Sequence, residues 1–172
     1  MADAAPTISE LPPEPATSGQ AATILIVEDD RAMRLMLREA LEEDGYTVDE
    51  ASGGRAGIDR VKQGGVDLVI SDVKMPDLDG LDMLREIKAV TPSPHVITIT
   101  AFGSIDTAIR AVKLGAFDYI TKPFDQEDVR TIVRKAVRTQ DLSATEASRR
   151  GSRLTTGCED SRSHTPKRSP PN

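Results

Sequence analysis

Cysteine, histidine, basic charge and long apolar runs are all scarce in this chain. Its 172 residues hold one cysteine and two histidines. Cys158 therefore has no partner for an internal disulfide, and His95 and His164, at a strand start and near the C-terminus, do not form a metal-ligating cluster. No apolar run approaches the ~18 residues of a membrane span, and no basic segment followed by an apolar stretch opens the chain. Neither a span nor a secretory signal is visible, so the expected location is the cytoplasm. The formal charge is −6, which disfavours partners built on a phosphate backbone; direct DNA binding is not expected.

The two ends lack what a packed element needs. Residues 1–22 contain Pro6, Pro12, Pro13 and Pro15, three acids, no basic residue and no aromatic. Residues 141–172 contain six serines, no Ile, Val, Phe or Tyr, and the close "HTPKRSPPN". Both segments are expected to be disordered tails, which leaves residues 23–140 as one domain with 16 basic against 21 acidic side chains. A stretch of that length is enough for a single core. After Val137 there is no helical linker, no GxxxxGK[ST] phosphate-binding loop and no second apolar core in the pattern.

What is present is a regular alternation of strand-like and helix-like stretches. "TILIV" is a short apolar strand, and Met33, Met36, Leu37, Ala40 and Leu41 follow at helical spacing until Gly45. "YTVDEA" is a half-buried strand, with a weaker helix around Ala56–Lys62; "VDLVIS" is a strand, and Leu81, Leu84, Ile87 and Lys88 lie on a helix capped by Asp79. "HVITIT" precedes a helix from Ser104, and "FDYIT" precedes a closing helix striped by Val129, Ile132, Val133, Ala136 and Val137. Five βα units whose strands are apolar rather than alternating predict an α/β fold, a parallel sheet with helices on both faces.

In such a sheet ligands collect beyond the carboxyl ends of the strands. The first strand ends in Glu28 and Asp29, the third in Asp72, the fourth in Thr100 and the fifth in Lys122, while Glu50 and Ala51 give the second an unremarkable ending. The run "VEDD" thus poses a problem in electrostatics, because clustered carboxylates raise one another's pKa unless a cation neutralises them. An all-oxygen set with room for water suits magnesium. Magnesium and a lysine can together hold the oxygens of a phosphoryl group while a carboxylate attacks phosphorus.

The motifs "ILIVEDD", "VISDVKMPDLDG", "VITITA" and "YITKPF", each at a strand end, resemble the receiver domain of two-component response regulators over about residues 23–140. The resemblance implies a flavodoxin-like (βα)5 doubly wound sheet with strand order 2-1-3-4-5. It implies Asp72 as phosphoryl acceptor and a magnesium ion held by Glu28, Asp29, Asp72 and the main-chain carbonyl of Lys74. Lys122 would contact the phosphoryl group, Thr100 would be the switch hydroxyl, Tyr119 the switch aromatic, and Lys122–Pro123 a cis peptide. The donor would be a sensor histidine kinase or a phosphotransfer protein, and a partner or second copy could bind through the fourth helix, fifth strand and fifth helix. The chain would catalyse its own loading and hydrolysis rather than turn over a metabolite. The stretch from Thr100 to Asp125 further resembles receivers of the nitrogen-regulation type, which normally precede an ATPase module and a DNA-binding module.

Other readings compete at single residues. Asp29 or Asp30 can cap the first helix, and Asp30 is assigned that role. Asp72 can form a turn, Lys122 can be a surface lysine, and Tyr119 alone is best read as part of a core. Two rival classes also remain: a truncated receiver of a transcriptional activator, and an aspartyl-phosphate phosphatase of the haloacid-dehalogenase type. The latter places its nucleophile on the first strand in a DxD pattern and needs a cap insertion, and this chain has neither. A phosphorylation-independent interaction module is a further rival, favoured if any of the acids or Lys122 were missing; none is.

Overall fold

The computed structural model describes residues 21–101 and 105–152, with residues 143–152 as backbone alone. Residues 1–20 and 153–172 of the expected tails lie outside them, as do the first residue expected for the fourth helix, Ser104, and Cys158. Five strands and five helices alternate: β1 (Thr23–Val27), α1 (Arg31–Glu43), β2 (Thr47–Ala51), α2 (Gly54–Lys62), β3 (Leu68–Asp72), α3 (Gly80–Val90), β4 (His95–Thr100), α4 (Ile105–Lys113), β5 (Asp118–Thr121) and α5 (Gln126–Ser152). All strand pairs are parallel and the order is β2-β1-β3-β4-β5.

The strands are apolar on both faces because each face is covered. On one side Ile24, Ile26, Leu68, Ile70, Ile97 and Ile99 pack with Leu37 and Leu41 of α1 and Val129, Val133 and Ala136 of α5. On the other, Leu25, Val27, Val69 and Val96 meet Ile58 and Val61 of α2, Met83, Leu84 and Ile87 of α3, and Ala111 of α4. The period of two in each strand thus supplies two core layers from one apolar run. Helix α4 is the thinnest cover, burying only Ala108 and Ala111.

The chain steps outward from β1 to β2 and then returns to β3 on the other side of β1, so strand order reverses between β1 and β3. That crevice is where an open α/β sheet binds its ligand. Local signals fix the helices that flank it. Asp30 accepts from the Met33 amide at 2.9 Å as N-cap of α1, and Asp79 accepts from the Leu81 amide at 2.8 Å as N-cap of α3. Gly45, with φ +88°, ends α1 in the left-handed region open to glycine.

One expectation is corrected. The helical pattern was expected to end near Val137 with a disordered tail from residue 141, yet α5 runs on to Ser152. Leu142, Ala144, Glu146, Ala147, Arg149 and Arg150 favour helix, and no proline intervenes before Pro166. Once the packed part of α5 is formed, each added residue gains a hydrogen bond without a new nucleus. Serine content and the absence of Ile, Val, Phe and Tyr argue against a core there, not against a helix. Helix α2 likewise begins at Gly54, two residues before the apolar pattern does. Among the described residues no helix is long and apolar enough to cross a membrane.

Gly80 joins fold to site. Its amide donates to the Val73 carbonyl at 2.8 Å, and a Cβ there would overlap the Asp72 carbonyl oxygen and lie 2.8 Å from the Val73 Cα. Because the obstruction is backbone, it cannot swing aside. Gly80→Ala is predicted to cost about 1–3 kcal/mol in urea unfolding. A variant as stable as the wild type would mean that the loop after β3 is free to separate from α3.

Candidate functional site

The parallel register brings the strand ends to one edge. Val27 pairs with Ala51 and with Ser71, Asp72 pairs with Ile99, and Thr100 pairs with Thr121. The next residues after β1 and β5, Glu28 and Lys122, therefore stand beside the last residues of β3 and β4. Oxygens of Glu28, Asp29 and Asp72 all lie within 4.8 Å of one another. Asp29 is exposed, whereas Glu28 is 1% and Asp72 6% exposed.

Asp72 is held from two sides. Its Oδ2 accepts from Lys122 Nζ at 2.9 Å and its Oδ1 from the Lys74 amide at 3.2 Å. Lys122 also lies 3.7 Å from Glu28 Oε2. The Lys122–Pro123 peptide is cis, as expected. Burial alone would lower the lysine pKa, but Asp72 and Glu28 outweigh it and the value is raised, so the charged ammonium is favoured there.

Glu28 is the strained member. Its Oε1 accepts from the Asp30 amide at 3.2 Å, while its Oε2 is buried with no hydrogen-bond partner. Burial pushes this carboxyl up to about 7, and the Asp72 charge adds to the rise although the Asp30 amide and Lys122 oppose it. An unsatisfied buried oxygen facing two more carboxylates is the donor set of a hard divalent cation. The acidic group could thus hold a metal, and the residues present fit one.

The switch candidates are placed differently. Thr100 is 2% exposed, and its hydroxyl reaches the Ala101 carbonyl at 3.5 Å, the limit of a hydrogen bond. Tyr119 is 41% exposed. As a core residue, the reading its type alone favours, it would be covered; on an edge strand under the thinly packed α4 it is not.

The matching family is the response regulator receiver domain, over residues 24–134. The chain belongs to this family. Transcriptional regulatory protein ZraR of Escherichia coli (strain K12) is 40% identical over 114 residues, covering 66% of this chain and 26% of that protein. The match thus spans about a quarter of such relatives. Sporulation initiation phosphotransferase F of Bacillus subtilis (strain 168) is 36% identical over 112 residues, covering 65% of this chain and 90% of that protein. Among solved structures, the beryllofluoride-activated NtrC4 receiver domain dimer superposes with a TM-score of 0.65 at 35% identity, over 69% of this chain and 98% of its own. The fold is the flavodoxin-like one of two-component receivers.

Two residues that reading by strand ends passed over tether the loops around this receiver's acidic edge. Arg34 Nη1 donates to the Glu28 carbonyl at 2.6 Å, and its Nε lies 3.3 Å from Glu50 Oε1. The end of β2 is therefore not unremarkable. The available signal was Arg34 lying one helical turn beyond the capping Asp30, a position whose side chain tilts back toward the preceding loop. Asp77 is a further tether, accepting from the Gly54 and Arg55 amides at 3.1 Å each. It ties the loop after Asp72 to the start of α2.

Glu28→Gln is predicted to stabilise the metal-free protein. The ionised form is disfavoured in the fold relative to the unfolded chain, so its cost is fully present above about 7 and fades as pH falls. At pH 8 with chelator the gain in unfolding free energy is expected to be about 1–3 kcal/mol. A loss of stability would show that the buried charge is well accommodated without metal.

Proposed function

We propose that Asp72 is the phosphoryl acceptor of this receiver, loaded in a magnesium-dependent reaction from the phosphohistidine of a sensor histidine kinase or phosphotransfer protein. The observation that carries this is the contact between Asp72 and Lys122, 2.9 Å apart, at the point where strand order reverses and beside two further acids. In the transfer, an Asp72 oxygen forms the new bond to phosphorus as the phosphorus–nitrogen bond breaks, and the departing imidazole keeps the electron pair. Lys122, already on Asp72, is placed to hold a phosphoryl oxygen once that carboxylate has become an acyl phosphate. Magnesium, held by Glu28, Asp29, Asp72 and the Lys74 carbonyl, would supply charge neutralisation for the incoming phosphoryl oxygens. Water attack on the acyl phosphate restores Asp72, so the chain catalyses its own loading and unloading and is not an enzyme for a separate metabolite. This reading places the protein in the cytoplasm.

Loading then switches a surface. Thr100 holds a poor hydrogen bond and would exchange it for a phosphoryl oxygen, which opens space beside β5 for Tyr119 to turn inward. The edge formed by α4, β5 and α5 changes as a result, and it is the face we assign to a partner or a second copy. That a similar receiver forms a dimer when beryllofluoride-activated supports the second copy.

Incubation with acetyl phosphate and magnesium should add about 80 Da, one phosphoryl group, to the wild type and nothing to Asp72→Asn in intact-mass spectra. Labelling of the variant at another aspartate would refute the assignment. Chelator should abolish the adduct, and equal labelling with and without it would remove the metal role. Thr100→Ala should still be loaded, but its beryllofluoride-induced amide shifts over residues 105–138 should be smaller, reflecting a coupling of about 1–3 kcal/mol. Undiminished shifts would refute the switch.

A further inference from the structure

Arg34 reaches back to the β1–α1 loop from within α1. Its amide donates to the Asp30 carbonyl at 3.0 Å, closing the first turn of the helix, and its side chain runs back along that turn. Nη1 donates to the Glu28 carbonyl at 2.6 Å and reaches the Asp29 carbonyl at 3.4 Å. Nε faces Glu50 Oε1 at 3.3 Å. The other oxygen of Glu50 accepts from Arg38 Nη1 at 3.0 Å, and Arg38 Nε donates to Glu42 Oε1 at 2.8 Å. A chain of charge thus runs from the surface of α1, through the end of β2, to the main chain of the two acids.

The kind of contact decides the role. Among the described residues Arg34 has no ion pair with Glu28, Asp29 or Asp72; it touches the main chain of the first two. It therefore acts on where those carboxylates point, not on their charge. Glu50 balances the guanidinium, so its positive charge does not compete with a cation for the acidic cluster. A guanidinium suits this place because its planar fork serves carbonyl and carboxylate in fixed directions at once, which a single ammonium cannot.

We propose that Arg34 and Glu50 are positioning residues that hold the β1–α1 loop with Glu28 and Asp29 set to receive a divalent cation. This rests on the metal reading of the proposed function. The loop holds two adjacent acids, one buried with an unsatisfied oxygen, and without a tether its repulsion is relieved by moving outward. Outer partners that orient ligating groups in this way typically govern metal affinity rather than the chemistry at the ligands.

Calorimetric titration of magnesium chloride into the full chain tests this with the wild type, Arg34→Ala, Arg34→Lys, Glu50→Gln and Arg38→Ala. Arg34→Ala should bind about tenfold more weakly, Arg34→Lys should restore part of the loss, and Glu50→Gln should fall about threefold. Arg38→Ala shares Glu50 but does not touch the loop, so it should stay within about twofold of the wild type. At saturating magnesium, Arg34→Ala should load from acetyl phosphate at the wild-type maximal rate, a split between affinity and rate that a loss of fold would not give. Unchanged affinity in Arg34→Ala, equal weakening in Arg38→Ala, or a lower maximal rate at unchanged affinity would each overturn the assignment. If Arg34→Ala does not fold, Glu50→Gln decides, and unchanged affinity there overturns it. A wild type that binds no magnesium removes the metal reading itself, a result distinct from a wild type that binds and variants that bind equally well.

Discussion

Three clustered carboxylates, two of them paired with one lysine, are the constraint on which the rest of this receiver depends. Glu28, Asp29 and Asp72 lie within 4.8 Å of one another, and their mutual repulsion is offset in the protein itself by Lys122 and by main-chain amides. Asp72 is satisfied by both; Glu28 is not, and it keeps a buried oxygen with no hydrogen-bond partner. Burial and mutual repulsion disfavour these charges, and the same crowding favours a cation placed among them. The site is thus kept under tension by the surrounding structure.

That structure is rigid where the tension must be borne. Two core layers grip β1 and β3 from both faces, and the strand ends cannot drift without opening one of them. Gly80 lets α3 begin directly against the Asp72 backbone, Asp77 ties the following loop to α2, and Arg34 ties the preceding loop to β2. On the β5 side the packing is different. Only two alanines of α4 are buried, Ile105, Ile109 and Val112 are exposed, and Tyr119 faces outward. Local stability follows buried apolar contact, so the acidic edge is built on the firm half of the sheet and borders the half that is easier to rearrange.

The same contrast explains what reading the sequence found and missed. Strand ends were legible because apolar runs have sharp limits, and in a parallel sheet all those limits fall on one edge; Glu28, Asp29, Asp72, Thr100 and Lys122 came from that rule alone. Caps were legible at Asp30 and Asp79 for the same local reason. The rule looks only at strand termini, so it passed over Arg34, whose side chain reaches the edge from within a helix, and it undervalued Glu50, which needs Arg34 to have a role. It also stopped α5 too early, because an apolar stripe records packing, whereas a helix can persist on propensity and propagation after packing ends.

By itself the sequence determined the order of elements, the polarity of the sheet and the residue types at its carboxyl edge, since each follows from local pattern and from the need to bury apolar faces. Resemblance to receivers added the strand order. Only the tertiary structure decided the distances: that Lys122 sits on Asp72 and not in solvent, that Glu28 is the acid left unsatisfied, that Tyr119 is outward, and that an arginine fixes the acidic loop from behind. These depend on contacts between residues far apart in the chain, such as Asp72 with Lys122 and Arg34 with Glu50. The energy of each is set by separation and burial, which no local pattern encodes.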